Sequence, residues 1–321
     1  MLIERIDSVR RIQIAAALAL LGAVGLPVVA RAQQEGPLPT TATITIESKH
    51  GEQLNPSMLN LQVNRHPAVI NSVTPIDKAA PQVAILIDDG LRASFGNQIE
   101  DIKAFLNALP GGTKVAVGYM QNGSIRMATD GFVTDRSSAA NALRITVSTP
   151  GISASPYFCL SDFVKKWPSD QPGARIVLML TNGVDPYNGR PSIENQDSPY
   201  VQEAQEDAQR AGVAVYSIYY ADSGFAFRGG RGSFSGQSYL QQVGDATGGQ
   251  SFNLGTITPP SIRPYLDQFT KALAESYVVS FQADTAKEKT DTLDSLKLTT
   301  TQPGVKIHAP QAVHPGTTVI Q

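Results

Sequence analysis

The sequence predicts an α/β fold: a doubly wound, mostly parallel sheet with helices on both faces, plus small β extensions at both ends. Three observations lead there. The segments Val83-Ala-Ile-Leu-Ile87 and Ile176-Val-Leu-Met-Leu180 are apolar at every position. A strand of that kind cannot keep one face in water, so it belongs at the centre of a parallel sheet covered on both sides. Each run also stops abruptly, the first in Asp88-Asp89-Gly90-Leu91-Arg92, the second in Thr181-Asn182-Gly183-Val184-Asp185. Around them, strand patterns alternate with helical ones, the order that builds such a sheet. Ligands of these sheets sit beyond the carboxyl ends of the strands, so the two polar turns mark where a site belongs.

The chain opens on a different pattern. Arg5, Arg10 and Arg11 precede an apolar run over Ile14–Val29, and Ala30-Arg31-Ala32 supplies the motif that a signal peptidase reads. Residues 1–32 are expected to be a signal peptide cleaved after Ala32, which sends the protein to the periplasm or outside the cell. The rival reading is a retained anchor. The run is short of the about 20 residues that span a bilayer, carries Pro27 near its end and has no basic stop-transfer cluster after it. No stable membrane span is expected after cleavage. A twin-arginine signal at Arg10-Arg11 is interrupted by Gln13.

Residues 33–79 read as a linker and a β-rich lead-in. Gln33–Thr40 is polar and holds Pro37 and Pro39, whereas Thr41–Ile46 and Met58–Val63 alternate polar with apolar positions. Residues 80–276 read as the α/β domain. After the first apolar run, Ser94 is placed to cap a helix whose Ile99, Ile102, Leu106 and Leu109 recur at three and four, stopped by Pro110-Gly111-Gly112. Val115–Met120 is the next strand; Ser137–Ile145 and Phe158–Trp167 read as helices. Ser198-Pro199 opens a further helix that Ala211-Gly212 closes, and Val213–Tyr220 is another buried strand. A helix over Tyr239–Ala246, stopped by Gly248-Gly249, leads into a short strand at Ser251–Leu254. Ile262, Leu266, Phe269 and Leu273 form the stripe of the last helix. Residues 277–321 return to β, with strands at Tyr277–Phe281, Ser295–Thr299 and Val305–His308. Gly224–Gly236 mixes glycine with aromatics but holds only Arg228 and Arg231, and reads as a mobile surface loop rather than a nucleic-acid binder.

Composition removes several function classes. Beyond residue 32 the chain is acidic, with a net charge of about −4 and no basic block, so neither nucleic acid nor an anionic membrane is an expected partner. Cys159 is the sole cysteine. No internal disulfide is possible, and its apolar helical setting makes it a small buried hydrophobe rather than a reactive thiol. The four histidines, His50, His66, His308 and His314, lie outside the α/β core and out of reach of a nucleophile on its crest. Gly244-Asp-Ala-Thr-Gly-Gly-Gln-Ser251 differs by one residue from a phosphate-binding loop, but it leaves a helix and enters a strand, the reverse of that motif's context. It reads as a glycine helix stop.

Taken together, the order of elements, the acidic turn at Asp88 and the Asn182-Gly-Val-Asp185 turn resemble a von Willebrand factor type A domain. Gly244-Asp-Ala-Thr-Gly-Gly-Gln-Ser-Phe252 is similar to the Ala-Thr-Gly-Gly-x-x-Phe segment of exported bacterial proteins described as VWFA-related. The tail with Gln302-Pro-Gly-Val-Lys-Ile-His308 and the lead-in at Thr41–Val63 match that family too. The resemblance implies a crest built for a magnesium or manganese ion, held by Asp-x-Ser-x-Ser, a middle-loop Thr and an Asp after the fourth strand, with a partner carboxylate completing the coordination. Carried over, the ligands are Asp88, Ser155 for the middle-loop position and Asn182 for the last. Gly90 and Arg92 replace the two serines. Losing hydroxyls and a carboxylate while adding a cation works against a hard divalent ion, since two unit charges about 4 Å apart exchange roughly 4 kcal/mol at an effective dielectric near 20.

The function read from the sequence is therefore an exported, non-catalytic protein-binding or surface-ligand-binding module with a degenerate, vacant metal site and no cofactor. Its partner is a protein or cell-envelope ligand, and its crest consists of Asp88, Asp89, Arg92, Asn182 and Asp185. Arg92 is expected to stand in for the ion by pairing with Asp88 or Asp89. The alternatives are adhesion dependent on Mg or Mn through a weakened site, and an envelope hydrolase, which has no nucleophile–base pair behind it.

Overall fold

A computed structural model describes residues 36–49, 51–189, 196–221, 230–253, 255, 258–284 and 292–320. The signal segment with its cleavage position, residues 224–229 and Leu254 lie outside the described residues. Gly36–Gln321 forms one compact unit. Among the described residues, no helix is long and apolar enough to cross a membrane.

Both ends of the described chain are β structure. The lead-in holds β1 (Pro37–Ser48), β2 (Leu59–Val63), β3 (His66–Pro67) and β4 (Ile70–Pro75); the tail holds β11 (Ser276–Asp284), β12 (Asp294–Thr300), β13 (Val305–His308) and β14 (Ala312–Val313). They interleave into two four-stranded sheets, β13-β1-β11-β4 and β14-β12-β2-β3. Alternation explains the arrangement: Ile44 and Ile46 of β1, Leu61 of β2, Phe281 of β11, and Leu296 and Leu298 of β12 point into one shared core. Two extensions at opposite ends of the sequence are thus one sandwich. The expected linker also shortens, because Pro37–Thr40 already pair with β11. Proline is tolerated there for a geometric reason. Thr41 N–H donates away from β11, to Thr317 O at 2.9 Å, so the odd positions Pro37 and Pro39 would have aimed their missing N–H groups the same way. β13 reaches only Thr45–Ser48, and no ladder bond is lost.

The six-stranded central sheet contains β5 (Gln82–Asp88), β6 (Lys114–Gln121), β7 (Ser124–Met127), β8 (Arg175–Thr181), β9 (Val213–Tyr219) and β10 (Ser251–Phe252), in the order β10-β9-β8-β5-β6-β7. All pairs are parallel except β6–β7. That antiparallel edge was not anticipated. Its hairpin turns on Asn122 (φ 49°) and Gly123 (φ 73°), the paired positive angles of the Asn-Gly turn whose twist matches flanking strands.

The two faces divide strictly by parity. Val83, Ile85 and Ile87 of β5 pack with α1 (Ile99–Ala108), α2 (Arg136–Asn141) and α6 (Arg263–Ala274). Ala84 and Leu86 face α3 (Pro156–Lys165), α4 (Pro199–Arg210) and α5 (Gly230–Thr247). Every residue of β5 is buried, as its unbroken apolar pattern requires. The sandwich joins this body through Tyr216, whose hydroxyl meets the side chains of Thr45 and Ser276.

Three local expectations are corrected. The helix expected from Ser94 begins as a 3-10 turn over Ala93–Gln98 and becomes α only at Ile99. The helix expected over Ser137–Ile145 stops at Asn141. Ile145, Thr146 and Val147 are β-branched and stiff in a helix, and Thr146 Oγ1 is spent on Leu91 O at 2.7 Å. Gly230–Gly236, expected as part of a mobile loop, lies in α5. A Cβ at Gly236 would sit 2.1 Å from Asn182 O, so glycine is what lets this helix close against the β8 turn. The glycine helix stop is observed. Gly248 has φ +81°, and Thr247 Oγ1 accepts from Val215 N–H at 3.1 Å while donating to Val243 O at 2.7 Å.

A Cβ at Gly249 would approach Val215 O to 1.9 Å. Gly249→Ala must therefore shift backbone against backbone and is expected to cost about 3 kcal/mol, read as a lowered midpoint in urea unfolding.

Candidate functional site

The chain order reverses between β5 and β8, whose carboxyl ends lie side by side. Asp88 is the last residue of β5 and is 3 % exposed. One oxygen accepts from Gly90 N–H at 3.0 Å and the other from Thr181 Oγ1, at the end of β8, at 2.8 Å. Ser153 adds a side-chain hydrogen bond. Burial raises the Asp88 pKa, and the charge of Asp89 pushes the same way; the three neutral donors oppose them without reversing the shift. Above Asp88 is a pit lined by Gly90, Gly151, Ser153, Ala154, Asn182, Val184 and Pro186, with about 10 Å³ free to a water-sized sphere, room for one water.

The neighbouring acid has the opposite fate. Asp89 is fully buried, yet Arg144 clamps it end-on, with Nη1 at 2.8 Å from Oδ1 and Nη2 at 2.7 Å from Oδ2. Val147 N–H donates to Oδ1 at 2.8 Å, and Gln121 Nε2 donates to Oδ2. Burial alone would raise this pKa too; the bonds from Arg144, Gln121 and Val147, with the guanidinium charge, hold it below its ordinary value of 3.8. Arg144 is itself fixed. Its guanidinium lies 3.8 Å from the centre of the Tyr119 ring, a cation–π contact. The Tyr119 hydroxyl accepts from Arg144 N–H at 2.6 Å and donates to Arg144 O at 2.8 Å.

The residues expected from sequence are only partly brought together. Asp88 and Asn182 line the pit. Asn182 Oδ1, however, accepts from Val184 N–H at 2.8 Å and closes its own turn. Ser155 does not reach the pit: it is the N-cap of α3, its Oγ accepting from Tyr157 N–H at 3.3 Å. The serine on Asp88 is Ser153. Asp185 is buried and supports α4, with Oδ2 on the Ser198 hydroxyl at 2.8 Å and Oδ1 on Tyr187 N–H at 3.1 Å. Arg92 opens the 3-10 turn; the guanidinium that pairs with the crest belongs to Arg144. Sequence reasoning missed Arg144, Tyr119, Gln121, Ser153 and Thr181. Thr181 was legible as the polar end of β8, while Arg144 carries no local signal, since a loop 55 residues downstream delivers it to Asp89.

This donor set does not fit a magnesium or manganese ion. Such an ion takes near-octahedral oxygen ligands. Gly90 offers none, and Ser155 and Asn182 are turned onto backbone N–H groups. Among the described residues, no three His, Cys, Asp or Glu are grouped to hold a metal. Cys159 is buried, donates to Ser153 O at 3.3 Å and has its pKa pushed up by burial, so it offers no thiolate at neutral pH.

No family model and no curated protein sequence matches the chain. Solved structures do resemble it. A von Willebrand factor type A protein from Catenulispora acidiphila is 12 % identical, covers 88 % of this chain and 74 % of its own, and has a TM-score of 0.45. An aerotolerance-related membrane protein from Bacteroides fragilis is 13 % identical over 60 % of this chain and 98 % of its own, with a TM-score of 0.42. Proximal thread matrix protein 1 from the mussel byssus, solved with zinc in its MIDAS motif, is 12 % identical over 60 % of this chain and 48 % of its own, TM-score 0.41.

Arg144→Ala leaves Asp89 buried without its cation and is expected to cost about 2 kcal/mol in thermal or urea unfolding. That is below the 3–5 kcal/mol of a fully buried pair because the Arg144 side chain is 42 % exposed. Asp88 and Asp89 also act oppositely on the pH profile. A raised carboxyl pKa makes the folded state bind the proton more tightly, so the Asp88 contribution falls as pH rises from 3.8 through its folded pKa. The Asp89 contribution is present above 3.8 and is lost as pH falls through its lowered pKa. Stability measured against pH is expected to keep the acid-side loss in Asp88→Asn and to lose the part of the decline above pH 3.8 that belongs to Asp88.

Proposed function

We propose that the protein is an exported, non-catalytic binding module whose crest takes a protein or cell-envelope ligand without a metal ion. The supporting observation is the crest's own cation. Arg144 is bonded through both terminal nitrogens to Asp89, putting a fixed positive charge where the acidic turn would otherwise attract a divalent one. The Asp88 carboxylate, held by three neutral donors, gains nothing from an ion that must compete with Gly90, Thr181 and Ser153. The recognition surface is the rim around the pit, built on the ends of β5 and β8 with the Ile145–Val147 segment beside them. Cleavage after Ala32 and residence in the periplasm or outside the cell complete the reading.

Calorimetric titration with Mg²⁺ and Mn²⁺ tests the metal side: no micromolar heat is expected, and micromolar binding abolished by Asp88→Ala would overturn the proposal. For the partner side, cross-linking in the native envelope should capture a protein or polymer in a chelator-insensitive way, weakened at least tenfold by Val147→Asp. The N-terminal sequence of the exported protein is expected to begin at Gln33.

A further inference from the structure

The Asp89–Arg144 pair uses only part of the guanidinium. An arginine head carries five N–H donors, four of them in two forks, one between the terminal nitrogens and one between Nε and the nearer terminal nitrogen. Asp89 takes the first fork. The second hydrogen of Nη1 goes to Ile145 O at 2.9 Å. Among the described residues, no acceptor meets Nε–H or the second hydrogen of Nη2. Those two N–H groups run parallel along one edge. Asp89 is fully buried, whereas the Arg144 side chain is 42 % exposed.

That edge is held still at three points. The Tyr119 ring stacks on the guanidinium, the Tyr119 hydroxyl clamps the Arg144 backbone on both sides, and Asp89 is anchored by Val147 N–H and Gln121. A donor pair immobilised before a ligand arrives loses little entropy on binding. Next to it in the chain, Ile145 and Val147 are 59 % and 51 % exposed, large apolar side chains that gain only from apolar contact.

The geometry points to the Nε–Nη2 edge of Arg144 as the receptor for a protein partner's carboxylate that carries an apolar neighbour. This rests on the binding-module reading and names the chemistry of its partner. The planar carboxylate matches two parallel N–H donors, and the exposed Ile145 and Val147 supply the contact for the apolar group beside it. Asp89 already balances the charge of Arg144, so the approaching carboxylate meets a near-neutral pair. Its affinity comes from two short hydrogen bonds and apolar area, and is only weakly dependent on salt.

NMR of the full chain labelled with ¹⁵N tests it, following the Arg144 Nε–H and the backbone amides of Ile145 and Val147. Three probes are added separately: acetate, N-acetyl-leucine and inorganic phosphate. N-acetyl-leucine is expected to shift these resonances saturably with a dissociation constant on the order of millimolar, severalfold tighter than acetate. Arg144→Lys, which keeps the charge and loses the fork, should weaken it at least tenfold by the backbone amides, with thermal unfolding confirming that the variant is folded. Val147→Ser, a change at an exposed position, should erase the preference over acetate. Absence of a shift at Arg144, or unchanged affinity in Arg144→Lys, would overturn the receptor edge. Tighter binding of phosphate than of either carboxylate would overturn the choice of ligand. Because the probes are small and the readout local, such a failure stays separate from failure of partner capture in the envelope, which bears on the binding module itself.

Discussion

β5 and β8 are covered by helices on both faces, and apart from Arg175 at the start of β8 every residue of the two strands is buried. In such strands a polar group must either be absent or find its partner in place. The chain meets this by keeping polarity for the strand ends, where Asp88 and Thr181 bond to each other across the reversal of chain order. Everything at the crest inherits that constraint. The turns after the two strands are polar because the strands are not, and they are close together because the strands are adjacent. The glycines Gly183 and Gly236 then let the β8 turn lie directly against α5, where a Cβ on Gly236 would collide with Asn182 O.

Two adjacent aspartates with the same intrinsic chemistry come to lie on opposite sides of their ordinary pKa. Asp88 ends β5 and meets the neutral donors around the pit, while Asp89 is the first residue of the turn and meets the Arg144 guanidinium. Identity of residue says little here; the neighbours decide the direction of the shift. This is also why a motif read along the chain misplaces the site. Arg92 stands at the position where a cation was expected, and the cation that serves Asp89 arrives from a segment with no sequence signature at all.

How much was legible follows from how local each cause is. Buried strands, glycine stops and capping serines are decided within a few residues, so β5, β8, α4 and the Gly248-Gly249 joint could be read directly. The Asn122-Gly123 hairpin is equally local, a two-residue turn with both φ angles positive. The sandwich was legible strand by strand through its alternation, but not as a sandwich, because which strands pair depends on partners more than 200 residues away. The helix after Asp135 was overextended for the same kind of reason: the pull of Asp89 on Arg144 and Val147 is a tertiary effect that helical periodicity cannot register. Ser155 looked like a ligand by type and proved to be a cap by geometry.

The ladder that pairs β1 with β11 joins Pro37 to Asp284 and Thr45 to Ser276. Closing so long a loop must be completed before any of its hydrogen bonds forms. A chain made from its amino end therefore produces β1 long before β11 and β13, the strands that pair with it; until they exist, Ile44 and Ile46 have only Leu54, Leu61 and Val63 of their shared core to pack against. The central sheet can assemble in the meantime from neighbouring strand–helix units. The sandwich cannot, because both strands that flank β1 in its sheet come from the tail, so β1 is left without strand partners through most of synthesis.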